Sequence, residues 1–149
     1  MLERGYWEVS FITRRNLSLT IRDGLFMSII FVGIGWAYAQ IKLGGVYWLP
    51  AHDWLPTFLA AFIVSGLIEE LEFRSFLLGL LRRWGMKAHW ANLLVGIYFG
   101  PLIHNRYLIR GDYLTLSIVF IFGLVAGWLT LKRRNVAGAI IGHTAMNFF

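Results

Sequence analysis

With 149 residues, 58% of them hydrophobic and only 15% charged, the chain has a mean hydropathy of +0.62. A soluble domain of this length lacks the interior to hide so much apolar surface, and charged residues there approach about a quarter of the total. The composition therefore points to a polytopic membrane protein. The net charge of +6 falls in short clusters between apolar runs, which reads as topology signal and not as a nucleic-acid patch, and the lack of cysteine excludes disulfides, thiol catalysis and thiolate metal sites.

Residues 1–23 are mixed and polar, with Arg4, Arg14, Arg15 and Arg22 among Tyr6, Trp7, Phe11 and Ile12. A basic, aromatic segment of this kind suits the membrane interface, and it lacks the short apolar core and small-residue cleavage site of a signal peptide. The segment 24–149 reads as one transmembrane domain. Its first span is Leu25–Ile41, followed by the turn-rich loop "KLGGVYWLPAHD". A second apolar run goes from Trp54 to about Leu81, a third from Trp90 to Ile103, a fourth from Tyr113 to Leu131, and a fifth from Val136 to the end. The fold class is thus all-α, a transmembrane bundle of about five helices in a bilayer whose core needs about 20 residues per span. The third and fifth runs are the shortest.

Lys and Arg outside these runs alternate in number. Arg4, Arg14, Arg15, Arg22, Arg82, Arg83, Lys87, Lys132, Arg133 and Arg134 fall on one side; Lys42, Arg106 and Arg110 fall on the other. The positive-inside rule places the N-terminus in the cytoplasm, in what we read as a prokaryotic plasma membrane.

Against that background "GLIEELEFRSFLLGLLRR" is unusual, because an ionisable group at bilayer depth costs roughly 2.5–3.5 kcal/mol on insertion scales. Glu70 and Arg74 are four apart and share a helix face, so they can pair. Glu69 has no basic residue at either helical spacing after it and must look to another helix. Candidates are His104, at the end of the third run, and His143 with Asn147, four apart in "GHTAMN" on one face of the fifth. His52 and His89 lie beside turns and read as solvated or interfacial. Glu72 has no role beyond a face turned to the cytoplasmic end. Isolated polar residues usually glue membrane helices together, but three helices that each contribute His, Asn or Glu point to a shared site.

A carboxylate that activates water, with an imidazole and an amide aimed at a developing oxyanion, is the equipment of amide hydrolysis. One Glu with two His (Glu69, His104, His143) is also a zinc ligand pattern, so a divalent-metal alternative stands beside the metal-independent one. Depth at 1.5 Å per residue sets Glu69 about 8 Å and His143 about 10 Å above the cytoplasmic boundary, but His104 about 21 Å above it.

"EELEFR" fits an EExxxR motif and "HTAMN" an HxxxN motif, in order on successive apolar helices. Over residues 62–149 the chain resembles the CAAX prenyl protease and bacteriocin-processing (CPBP, Abi) family of intramembrane endopeptidases, in a short prokaryotic form. The family's middle motif is FxxxH; here Gly100 stands four before His104 and Phe99 one position earlier, so the aromatic has shifted or been replaced. The resemblance implies a protease in which Glu69 activates water, His104 assists, His143 and Asn147 stabilise the oxyanion, and Glu70 with Arg74 supports the helix. It implies no required cofactor as first choice, with zinc as the alternative, and a peptide or protein substrate at the lipid bilayer, with no nucleic-acid partner. An inactive interaction or immunity protein of the same fold is the other class, and a proton-coupled transporter using Glu69 and Glu70 a third.

Overall fold

A computed structural model describes residues 10–46 and 48–149. The reading of the first nine residues as interfacial falls outside these. Six helices follow in chain order: α1 (Leu17–Leu43), α2 (Ala51–Arg83), α3 (Ala88–Ile103), α4 (Asn105–Ile109), α5 (Tyr113–Arg133) and α6 (Ala137–Phe148), with no strand among the described residues. Three of them, α1, α2 and α5, are long and apolar enough to cross a membrane. The other two expected spans form as helices but are shorter. At 12 residues α6 rises only about 18 Å. Helix α1 starts at Leu17, well before Leu25, so the boundary expected at residue 23 lies inside a helix.

The ends follow from local chemistry. Gly44, at φ 76°, turns its N–H back to the Ala39 carbonyl and closes α1 in a left-handed cap. Asp112 caps α5 by accepting the Thr115 N–H at 3.1 Å, just after Gly111 (φ 71°) has stopped α4. In the tight α5–α6 turn, Asn135 receives the Ala137 N–H at 2.9 Å and donates to the Thr13 and Arg15 carbonyls. The chain before α1 is thereby tied to the start of α6.

The distribution of side chains is that of a protein in lipid. Phe26, Ile29, Leu55 and Phe76 point outward, while Thr20, Ser28, Glu70, Arg74, Thr130, His143 and Thr144 are buried. Lipid tails are as apolar as leucine, so helix contacts rest on close packing and internal polar bonds. Helices α1 and α6 meet backbone to backbone: a Cβ on Gly24 would sit 2.7 Å from the Gly138 carbonyl oxygen, and one on Gly138 would sit 2.6 Å from that of Thr20. Met27, Phe31, Phe73, Phe99, Phe122 and Ala139 fill the centre.

Two stretches of α2, Ala61–Glu69 and Leu71–Leu77, and the last turn of α3, Tyr98–Ile103, are wound as π-helix. Successive residues step about 100° round an α-helix. The wider π turn, bonded from i to i+5, reduces that step, so neighbouring side chains diverge less. Glu69 ends the first wide stretch and Glu70 separates it from the second, and both carboxylates approach His143 of α6.

Candidate active site

Glu70 and Arg74 are the most enclosed charges of the described chain, with no exposed side-chain surface. Arg74 Nη1 donates to Glu70 Oε1 at 2.9 Å, as their i, i+4 spacing requires, and Nη2 reaches the Gly123 carbonyl on α5 at 3.3 Å. A Cβ at Gly123 would come 3.4 Å from that nitrogen and 3.1 Å from the Phe99 ring, so the absence of a side chain there admits the guanidinium. The Arg74 Cζ stands 4.3 Å from the centre of the Phe99 ring, close enough for a cation–π contact.

From α6, His143 enters the same pocket. Its Nδ1 lies 2.7 Å from Glu70 Oε1. A carboxylate only accepts, so Nδ1 carries the proton and donates. The other ring nitrogen, Nε2, is turned to Glu69 Oε2 at 3.9 Å, and the ring packs against Phe99 and Phe122 at 5.6 and 4.8 Å between centroids. Glu69 is the more open carboxylate, with a quarter of its side chain exposed, yet its Oε2 is buried without a hydrogen-bond partner. A gap of 3.9 Å between two polar atoms is longer than a direct bond and suits a bridging water.

His104 lies just past the end of α3, with Nδ1 2.7 Å from the Phe99 carbonyl. A carbonyl also only accepts, so Nδ1 is the donor, and Nε2 makes no hydrogen bond among the described residues. The Phe99 ring touches the His104 ring at 4.8 Å as well as that of His143. This explains the displaced aromatic of the middle motif. In a π turn residues five apart stack, so Phe99 comes under His104 where an α-helix would need position 100. A phenylalanine at 100 would instead press on Phe120, whose Cα and Cβ are 3.1 Å from a Cβ built there. Pro101 lies within this π turn.

The structure thus gathers Glu69, Glu70, Arg74 and His143 directly and adds His104 through Phe99. Asn147 shares α6 with His143 but is exposed and makes no hydrogen bond among the described residues. Glu72 is likewise exposed and unpaired there, while His52 pairs weakly with Asp53 and His89 lies on Trp90, both at the surface. Glu69, His104 and His143 do not converge as a three-ligand group; no set of three His, Cys, Asp or Glu does so among the described residues. The Glu70 bond engages Nδ1 of His143 and leaves Nε2 as the nitrogen turned to Glu69. Phe99, Phe122 and Gly123 are partners that residue type alone did not reveal, although the small residue in "FGLVAG" marks the place where an arginine can reach a backbone carbonyl.

Residues 50–149 match the family model of the type II CAAX prenyl endopeptidases, Rce1-like. The chain belongs to that family. The match takes in all of α2 to α6. No curated protein matches the chain, and no solved structure does either. Rce1-like membership makes this a protein of the CAAX protease type, whose substrates are peptides, and the three long apolar helices make it an integral membrane protein.

Proposed function

We propose that the chain is an intramembrane endopeptidase in which a water held between Glu69 and His143 attacks a peptide carbonyl. The observation that carries this reading is the double use of His143: Glu70 holds Nδ1 at 2.7 Å, while Nε2 looks across 3.9 Å to an unpartnered oxygen of Glu69. Fixing one nitrogen of an imidazole orients the other.

In this scheme Glu69 takes a proton from the water as its oxygen adds to the carbonyl carbon, and later gives that proton to the departing amine. The oxyanion forms on the α6 side, where the Asn147 amide is a donor and His143 Nε2 becomes one in the imidazolium form of the ring. His104, with Nδ1 committed to the Phe99 carbonyl, offers Nε2 to the water or to the substrate. Glu70 and Arg74 act through His143 and do not touch the reacting atoms. No metal is required, and the site opens nearer the cytoplasmic face of a prokaryotic plasma membrane. Peptide profiling in membranes tests the reading: products made by the wild type should vanish with Glu69→Ala, and an unchanged product set would overturn it.

A further inference from the structure

Away from that site, two apolar grooves run on either side of α5. One, of about 600 Å³, lies between α1 and α5, walled by Phe26, Ile30 and Ile121; the other, of about 730 Å³, lies between α3 and α5, walled by Leu93 and Leu124. They share Val125, Trp128 and Lys132, so they meet at a single ridge. On that ridge the Lys132 ammonium stands 4.5 Å over the half-exposed Trp128 ring. None of Glu69, Glu70, Arg74, His104, His143 or Asn147 lines either groove.

The mouth is cationic. Among the described residues, Arg22, Lys132 and Arg133 gather there against one carboxylate, Asp23, which bonds Arg133 at 2.6 Å and Arg22 at 2.9 Å and leaves two positive charges in excess. The same end of the bundle carries Arg82, Arg83 and Lys87. A tryptophan one turn inside a ring of basic groups is the arrangement of a membrane interface.

We propose that the ridge seats one anionic diacyl phospholipid, with an acyl chain in each groove and its phosphate against Lys132 and Arg22. The paired grooves select two chains on one headgroup, and the charge excess selects a negative headgroup over a zwitterionic one. Asp23 holds both arginines, but Arg133 is mostly buried and braces α1 against α5, whereas Arg22 is exposed and open to a headgroup. A basic side chain near an anionic headgroup contributes about fivefold in affinity. The occupant belongs to the membrane and is independent of the peptide substrate.

Native mass spectrometry of the purified full chain, released from neutral detergent, tests this with phosphatidylglycerol and phosphatidylcholine of identical acyl chains. Wild type should retain phosphatidylglycerol at least about fivefold better, and the double variant Arg22→Gln, Lys132→Gln should lose that preference. Arg110→Gln, at the other end of the bundle, should keep it. Equal retention of the two lipids by the wild type, or an undiminished preference in the double variant at unchanged helicity, would overturn the proposal. Should the double variant fail to fold, the wild-type lipid ratio decides alone.

Discussion

His143 Nδ1 lies 2.7 Å from Glu70 Oε1, an oxygen already held by Arg74. The carboxylate that completes an ordinary i, i+4 ion pair thus also anchors the histidine of another helix. Adjacent glutamates on α2 take different work as a result: Glu70 is enclosed, with Oε1 shared by Arg74 and His143 and Oε2 unpartnered, while Glu69 is a quarter exposed and makes no direct hydrogen bond among the described residues.

Neighbouring substitutions should therefore separate. Glu70→Gln leaves Arg74 buried without its hydrogen-bonded counter-ion, and breaking a buried pair costs about 3–5 kcal/mol. Glu69→Gln should change stability by well under that. Thermal unfolding in detergent micelles, read by circular dichroism, should show a large fall in midpoint for the first and little for the second.

Packing between α2 and α6 sets the distance from Glu69 to His143. A Cβ on Gly66 would sit 2.1 Å from Thr144 Oγ1 and 3.2 Å from the Ile140 carbonyl oxygen. Thr144 follows His143 directly, so Gly66→Ala should spread the two helices at the site. We expect overpacking of about 1–3 kcal/mol together with a drop in kcat. The double variant Gly66→Ala, Thr144→Ala, which removes the clashing hydroxyl, should recover part of both.

Asn147 is exposed and carries no structural bond among the described residues, so Asn147→Ala should leave the melting temperature in place. If its amide serves the oxyanion, kcat should fall by about 10²–10³-fold, the usual effect of losing one such donor. Measuring kcat and KM separately with a peptide substrate distinguishes this from weaker binding.

A carboxylate mechanism predicts that chelators are without effect. Cleavage measured in membranes before and after exhaustive treatment with a strong divalent chelator should agree. Inactivation that added zinc reverses would instead return Glu69, His104 and His143 to the role of ligands.

Much of this was legible in the sequence because lipid makes polar residues conspicuous. Glu70 and Arg74 announce their pairing by spacing, and His143 stands out on an apolar helix as an obvious visitor to a buried carboxylate. Which glutamate it meets was not legible. That depends on the winding of α2, whose π stretches run up to Glu69 and resume after Glu70, so the step between residues departs from the about 100° of a uniform α-helix. The same limit affected His104. Its depth along a straight helix is too great, and the π turn through Pro101, which also absorbs the shifted Phe99, is a backbone property that periodicity does not encode. Each of the five apolar runs forms a helix, but the short α4 adds a sixth and only α1, α2 and α5 are long and apolar enough to cross a membrane; α6 is too short to span alone and rests on the Gly24–Gly138 contact with α1.

The central claim is that Glu69 performs the chemistry while Glu70 holds the site. The most direct measurement is the rate of peptide cleavage by purified Glu69→Gln in proteoliposomes, beside wild type at matched helicity and melting temperature. Loss of the water-activating carboxylate should lower kcat by at least about 10²–10⁴-fold, the range of general-base catalysis. A folded Glu69→Gln protein that cleaves at the wild-type rate would contradict the account.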